Sequence, residues 1–239
     1  MRISVIIPMY NEEKIIKDTA IQVHKYMTEK FGEGEFEVLF SNDGSLDNCA
    51  DAVRSLELPG IKVTGYEKNR GKGCAVRTAI LESEGDFVMF TDADLAYGTD
   101  VIGSLYESYL ANSDAGLFIG SRNIGTDGYS EYTFLRKIMS KTYIKVICIS
   151  GGFKLSDSQC GCKGFTKEAA KKIFSNCEID GFAFDLEALL LAQKIGYKIV
   201  EIPVKIINHR ESKVNIVKDT LKMLSDLRRI KKRIRKLDV

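Results

Sequence analysis

The sequence predicts an α/β fold: a mostly parallel sheet flanked by helices, followed by a basic amphipathic C-terminal helix. Three observations carry that prediction. Short apolar runs alternate with helical segments at βαβ spacing as far as Arg122. Each run stops in a polar, glycine-bearing or charged cluster, as parallel strands do where they feed the loops of one edge. Residues 228–236 hold seven basic side chains within a stretch whose apolar residues recur every three or four positions.

Taken in order, residues 3–7 read as a strand stopped by Pro8. Asn11 is placed to cap the next helix. Glu12 and Glu13 sit in its first turn, where the helix dipole favours acids, and Ile15, Ile16, Thr19, Ala20, Val23 and Met27 form its inner stripe. Residues 36–40 are the second strand, opening into the turn Ser41-Asn42-Asp43-Gly44-Ser45. A short helix follows, then a strand over 61–66, the turn Asn69-Arg70-Gly71-Lys72-Gly73 and a helix over 74–84. Phe87-Val88-Met89-Phe90 reads as a strand buried on both faces, and it ends in two carboxylates, Asp92 and Asp94, separated by Ala93. A helix over about 99–112 and a strand over 115–119, ending in Gly120-Ser121-Arg122, complete the alternation.

Charge is distributed unevenly. The chain of 239 residues carries +2, but its last twelve residues carry +6, leaving −4 on the remainder. In the tail Val217, Leu221, Leu224, Leu227, Ile230, Ile234 and Leu237 make an apolar stripe with a basic flank, so residues 1–214 are expected to form one domain and 215–239 a separate helix. That helix has two open readings. It lies on an anionic membrane surface, each nearby basic residue contributing about 1 kcal/mol, or it packs on the body. Nucleic acid is not an expected partner, because the basic run has no aromatic residues for base stacking.

Other classes are excluded by composition. No apolar stretch is long and uncharged enough to span a bilayer, and Met1-Arg2 leads into a strand without resembling a signal peptide, so a cytoplasmic protein peripheral on the inner face of the membrane is expected. Six cysteines without Cys-x-x-Cys spacing read as reduced structural thiols, and two histidines give little support for a Ser-His or Cys-His nucleophile.

The polar clusters at 10–12, 42–43, 69–73, 92–94 and 121–122 each follow a strand, so they converge on one edge of the sheet. Asn42 and Asp43 offer partners for a base or ribose, and Lys72 and Arg122 offer positive charge. Asp92 and Asp94 would repel one another without a hard, oxygen-ligated cation such as Mg²⁺ or Mn²⁺ between them. The edge thus suits a nucleotide carrying a diphosphate. It lacks the Gly-x-Gly-x-x-Gly fingerprint and the Walker-type phosphate loop.

Ile6-Ile7-Pro8-Met9-Tyr10-Asn11-Glu12, Asn42-Asp43-Gly44-Ser45, Asn69-Arg70-Gly71-Lys72-Gly73 and Thr91-Asp92-Ala93-Asp94 together resemble the family 2 glycosyltransferases, inverting enzymes of the GT-A (Rossmann-like) fold. Within that family, Asp157-Ser158-Gln159-Cys160-Gly161-Cys162-Lys163-Gly164-Phe165 and Phe182-Ala183-Phe184-Asp185-Leu186-Glu187 are similar to segments of the dolichyl- and polyprenyl-phosphate hexosyltransferases. The chain departs from the common pattern at Asn42, where an aspartate is usual, and at Cys162, where the glucosyl branch has an aromatic residue.

The resemblance implies a set of roles. Pro8, Tyr10, Asn11, Glu12, Asn42, Asp43, Lys72, Asp92, Ala93 and Asp94 would border the nucleotide sugar, UDP-glucose or GDP-mannose, with Asp92 and Asp94 on Mg²⁺ or Mn²⁺. Arg122, Arg136, Ser140, Gln159, Arg210 and Lys213 would hold the phosphate of a polyprenyl acceptor. Asp94 and Asp185 are the catalytic candidates, Asp185 either as a general base or as an orienting carboxylate. The implied reaction is hexose transfer to a polyprenyl phosphate at the membrane surface. The alternative is transfer to a saccharide hydroxyl in cell-surface polysaccharide or glycolipid assembly.

Overall fold

The computed structural model describes residues 2–125, 128–129, 134–208 and 216–238, without the side chains of 134–136 and 216–222. The elements run β1 (Ile3–Met9), α1 (Glu13–Phe31), β2 (Phe36–Asp43), α2 (Cys49–Arg54), β3 (Ile61–Tyr66), α3 (Lys72–Glu82), β4 (Phe87–Phe90), α4 (Asp100–Ala111) and β5 (Ala115–Ser121). After these come α5 (Phe134–Gly151), β6 (Lys163–Thr166), α6 (Lys167–Phe174), α7 (Phe184–Ile195), β7 (Lys198–Pro203) and α8 (Ile216–Ile234).

Seven strands form one sheet in the order β3-β2-β1-β4-β6-β5-β7. The central strands are buried on both faces, and successive side chains serve opposite cores. Ile6, Val88 and Phe90 join a cluster with α3, α5, α6, α7 and α8, while Ile3, Val5, Ile7, Phe87 and Met89 join one with α1, α2 and α4. This is why the strand sequences read as unbroken apolar runs. β1 pairs in parallel with β2 on one side and β4 on the other. The order therefore switches between β1 and β4, which opens a crevice beyond their carboxyl ends.

One strand departs from the parallel arrangement. β6 runs antiparallel between β4 and β5, with Lys163 opposite Phe90 and Phe165 opposite Val88. β5 then pairs in parallel with β7. Since β4 and β5 both oppose β6, their carboxyl ends share the edge used by β1, β2 and β3.

α8 packs on the body. Met223, Leu227, Ile230 and Ile234 are buried in the cluster that contains α7 and α5. Arg233 Nη2 donates to the buried Glu187 Oε1 at 2.7 Å, and Lys194 Nζ donates to Ile234 O at 2.8 Å. Over 223–234 the apolar side of the helix thus faces protein, while Arg228, Arg229 and Lys232 remain outward. Among the described residues no helix is long and apolar enough to cross a membrane.

Candidate active site

The loops at the carboxyl edge are tied to one another in sequence order across the sheet. Asn11 has φ 54°, a left-handed conformation that asparagine tolerates, and caps no helix; the residue before α1 is Glu12, without a side-chain cap bond. The expectation of Asn11 as an N-cap is corrected because the chain turns here against the next loop. Asn11 Oδ1 accepts from Leu46 N–H at 2.8 Å, and its own N–H donates to Ser45 Oγ at 3.0 Å. Asp47 takes over at the helix terminus, accepting from Glu13 N–H at 2.9 Å. Burial raises the Asp47 pKa, but its backbone and side-chain donors outweigh that and leave it lowered. Pro8 is buried in β1, and Tyr10 is exposed at the mouth of the crevice.

Asn42 and Asp43 extend β2, opposite Met9 in β1 and Gly65 and Tyr66 in β3. Their side chains build turns. Asn42 Oδ1 accepts from Ser45 N–H at 3.1 Å. The buried Asp43 carboxylate accepts from Tyr66 Oη at 2.6 Å, Asn69 Nδ2 at 2.9 Å, and the N–H groups of Arg70 and Gly71 at 2.9 Å. Asp43 therefore fixes the loop entering α3. Gly71, at φ 116°, has no room for a side chain: a Cβ would lie 2.5 Å from Asp180 O. Asp180 reinforces the loop through Arg77 Nη2 at 2.6 Å and Arg70 Nη2 at 3.3 Å.

This loop delivers Lys72 to the centre of the edge, where opposite charges alternate. Lys72 Nζ donates to Asp92 Oδ1, and it lies 6.0 Å from the Phe184 ring centroid. Burial depresses the Lys72 pKa, but Asp92, Asp185 and Asp94 outweigh that and hold it raised. Asp185, in the first turn of α7, is 8% exposed. Lys163 Nζ is 3.0 Å from Asp185 Oδ1, an ion pair whose geometry leaves that oxygen without a hydrogen bond. Lys163 itself is buried, donates to Cys160 O at 2.8 Å and lies 5.7 Å from the Phe90 ring centroid. Burial raises the Asp185 pKa, which Lys163 and Lys72 offset only in part. The segment preceding β6 closes on the same point, since a Cβ at Gly161 would overlap Asp92 Oδ2.

Asp92 and Asp94 are half-buried, and Ala93 between them is buried, its carbonyl accepting from Thr19 Oγ1 at 2.7 Å. Asp94 Oδ1 accepts from Ala96 N–H at 3.2 Å. Among the described residues no group of three or more His, Cys, Asp or Glu side chains could by itself hold a metal ion. Two hard carboxylates beside a diphosphate nevertheless fit Mg²⁺, which is commonly held by one or two carboxylates with substrate phosphates completing the shell. The Lys72 ammonium already marks Asp92 as a place for positive charge.

On the β5 side, Arg122 Nε donates to Asp157 Oδ2 at 2.6 Å and Nη2 to Oδ1 at 3.0 Å, with the guanidinium 5.4 Å from the Tyr129 ring centroid. The loop carrying Asp157 is held from β7, where Glu201 Oε1 accepts from Ser156 Oγ at 2.7 Å and Asp157 N–H at 3.2 Å. Gln159 Oε1 accepts from Tyr143 Oη at 3.3 Å, and Ser140 lies half-buried on α5, as Tyr143 does. The Arg136 side chain, Arg210 and Lys213 lie outside the described residues. The sequence pattern alone assigns no role to Lys163 and Asp157, and the signal for them is two charges inside the otherwise uncharged stretch 157–165.

Comparison with known proteins agrees with this geometry. The model of the family described as Glycosyl transferase family 2 matches residues 4–174. A dolichyl-phosphate beta-glucosyltransferase of Trichomonas vaginalis is 33% identical over 95% of this chain and 72% of its own length. One from Dictyostelium discoideum is 31% identical over 96% of this chain and 73% of its own. Among solved structures, glucosyl-3-phosphoglycerate synthase from Mycobacterium tuberculosis, crystallised with Mn²⁺, uridine diphosphate and phosphoglyceric acid, superposes with a TM-score of 0.72 at 16% identity. That match covers 100% of this chain and 80% of the synthase, and it shows the shared GT-A fold.

Proposed function

The chain belongs to glycosyl transferase family 2, and from that premise we propose that it transfers glucose from UDP-glucose to a polyprenyl phosphate such as dolichyl phosphate, inverting the anomeric carbon. One observation carries the reading. Two segments similar to the polyprenyl-phosphate branch meet at the charged centre, where Lys163 of one pairs with Asp185 of the other beside Lys72 and Asp92. Relatives named for glucose and dolichyl phosphate match nearly the whole chain, which favours glucose over mannose. In this reading residues 1–214 are the catalytic domain, and 215–239 a helix that completes its core and turns a basic flank towards an anionic membrane.

The chemistry asks little proton transfer of the protein. A phosphate oxygen of the acceptor attacks the anomeric carbon, the bond from that carbon to the diphosphate breaks, and the nucleoside diphosphate departs with the electron pair. Because the acceptor is already an anion, no base has to generate it. Asp185, fixed by Lys163, orients the sugar or a neighbouring cation. Lys72 aims positive charge at the place where the departing diphosphate develops negative charge. A divalent ion, Mg²⁺ or Mn²⁺, held by Asp92 and Asp94 would neutralise the leaving group. Arg122, Arg136, Ser140, Gln159, Arg210 and Lys213 gather the acceptor phosphate.

The test is a transfer assay with Mg²⁺ or Mn²⁺, a short polyprenyl phosphate, and labelled UDP-glucose and GDP-mannose in parallel. Label extractable into organic solvent from UDP-glucose, and lost in Asp94→Asn, is the expected result. Asp185→Asn should slow that transfer by less than about four orders of magnitude, the upper range of acid–base catalysis. Label appearing only on a water-soluble saccharide would replace the phosphate acceptor with a hydroxyl.

A further inference from the structure

α8 buries its apolar side, but α5 leaves part of its own uncovered. Along α5 the inward residues Ile144, Ile147 and Cys148 are buried, whereas Ile138, Met139, Val146 and Ile149 are 46%, 37%, 39% and 70% exposed. Ile138, Thr142, Val146 and Ile149 follow at intervals of four, four and three residues, so they form one stripe down the outside of the helix. The exposed Lys141 and Lys145 run beside this stripe at the same spacing, and α5 contains no Asp or Glu. Lys231 Nζ of α8 donates to Ser150 O at 3.0 Å, which brings the basic flank of α8 to the C-terminal end of α5. Arg228 and Arg235, three residues before and four after Lys231, are exposed on that flank.

We propose that the outer face of α5, continued by the basic flank of α8, is a docking surface for an anionic lipid bilayer. An apolar stripe bordered by lysines and free of acids is complementary to that partner: the isoleucines enter the boundary between headgroups and acyl chains while the ammonium groups meet lipid phosphates. A second copy of the chain is a poor occupant, because pairing this face with itself would set lysine against lysine. The inference revises which helix enters the lipid: α5 supplies the apolar contact, and α8 only charge. It rests on the polyprenyl-phosphate reading for its purpose alone. Ser140 is also on α5, so the element that meets the bilayer carries a residue assigned to the acceptor phosphate.

The experiment is sedimentation of the full chain with vesicles of phosphatidylcholine, with and without phosphatidylglycerol, at low salt. The wild-type protein should sediment with the anionic vesicles. Ile138→Ser combined with Ile149→Ser should weaken partitioning by at least about tenfold, since binding scales with buried apolar area. Lys145→Glu should weaken it by at least about fivefold, the share of one basic residue near such a surface. These side chains are outward, so the urea unfolding midpoint should not move. Wild-type protein left in the supernatant, or an isoleucine variant that partitions unchanged, overturns the proposal. So does a wild-type dimer that the isoleucine variant turns into a monomer, which would make a second copy the occupant. Neither donor nor acceptor is present, so vesicle binding retained by a protein without transfer activity would fault the proposed reaction and not this surface.

Discussion

Replacing Lys163 with Met removes one charge from the buried pair at the centre of the site. Lys163 is 1% exposed, its ammonium is 3.0 Å from Asp185 Oδ1, and it donates to Cys160 O at 2.8 Å. Methionine fills similar volume and leaves Asp185 with the more distant Lys72. Breaking a buried pair from one side typically costs about 3–5 kcal/mol, because the remaining charge stays desolvated. The cost should depend on pH in a definite sense. Burial already holds the Asp185 carboxyl above its ordinary range, with Lys163 pulling the other way, so the substitution moves it further up. Between the two folded-state values the variant's native state keeps a proton that the wild-type native state has lost, while the unfolded states are alike. The destabilisation is therefore smallest at low pH, grows by up to about 1.4 kcal/mol per unit as pH rises, and levels once the variant's carboxyl also ionises. Urea unfolding across about pH 5 to 9 measures it. Within an Asp185→Asn background the Lys163→Met step should lose its pH-dependent part, leaving only the unpaired Cys160 carbonyl, worth about 1–3 kcal/mol. A destabilisation that does not change with pH would refute the electrostatic account of this pair.

Asp43→Ala should raise the KM for the nucleotide sugar by about tenfold or more and lower kcat as well, because it frees the Asn69 to Gly71 loop that delivers Lys72 to Asp92; unchanged donor kinetics would remove this loop from the nucleotide site. Glu37→Gln tests a structural carboxylate far from the chemistry, one that accepts from Ser4 Oγ at 2.6 Å, Glu84 N–H at 2.7 Å and Lys62 Nζ at 3.0 Å. Burial raises its pKa, but these donors outweigh burial and lower it. A depressed carboxyl stabilises the fold above its unfolded value of about 4.3 and loses that contribution as pH falls through the folded value. The variant should be less stable by about 1.5–3 kcal/mol at neutral pH, with the gap closing below about pH 4 in chemical denaturation; a constant gap would count against this assignment.

The first half of the fold was legible because its strands are buried on both faces and announce themselves as apolar runs. Beyond Arg122 that signal fails. β6 is Lys163-Gly164-Phe165-Thr166, a strand with a buried charge and a glycine packed against Phe87, and nothing in its composition marks it as central. β7 is a half-exposed edge strand ending in Pro203. The site was legible as a convergence of loops, since strand direction alone fixes the edge they share. Individual roles were less so. Asn11 reads as a cap and Asp43 as a ligand, yet both build turns whose partners lie about 25 to 35 residues away, a separation that local pattern does not encode. The C-terminal stripe reads as amphipathic, but periodicity does not say whether protein or lipid covers it; the packing of Leu227 and Ile230 does.

Charge at the edge also bears on what must bind there. Lys72 and Lys163 face Asp92, Asp94 and Asp185, so this centre alone carries one net negative charge, and the Arg122–Asp157 pair adds none. A nucleotide sugar brings a diphosphate and the proposed acceptor a phosphate, so two anions would have to meet beside a negative site. A divalent cation at Asp92 and Asp94 reverses the local sign and accommodates the donor, but it leaves little for the second anion at close range. The acceptor phosphate therefore needs positive charge of its own. This is the physical support for assigning Arg136, Arg210 and Lys213 to it: Arg122 is engaged by Asp157 through two parallel bonds, and a guanidinium held that way orients a neighbour more readily than it neutralises a new anion. On the same reasoning, a hydroxyl acceptor would bring no second anion, and Arg136, Arg210 and Lys213 would have no charge to answer.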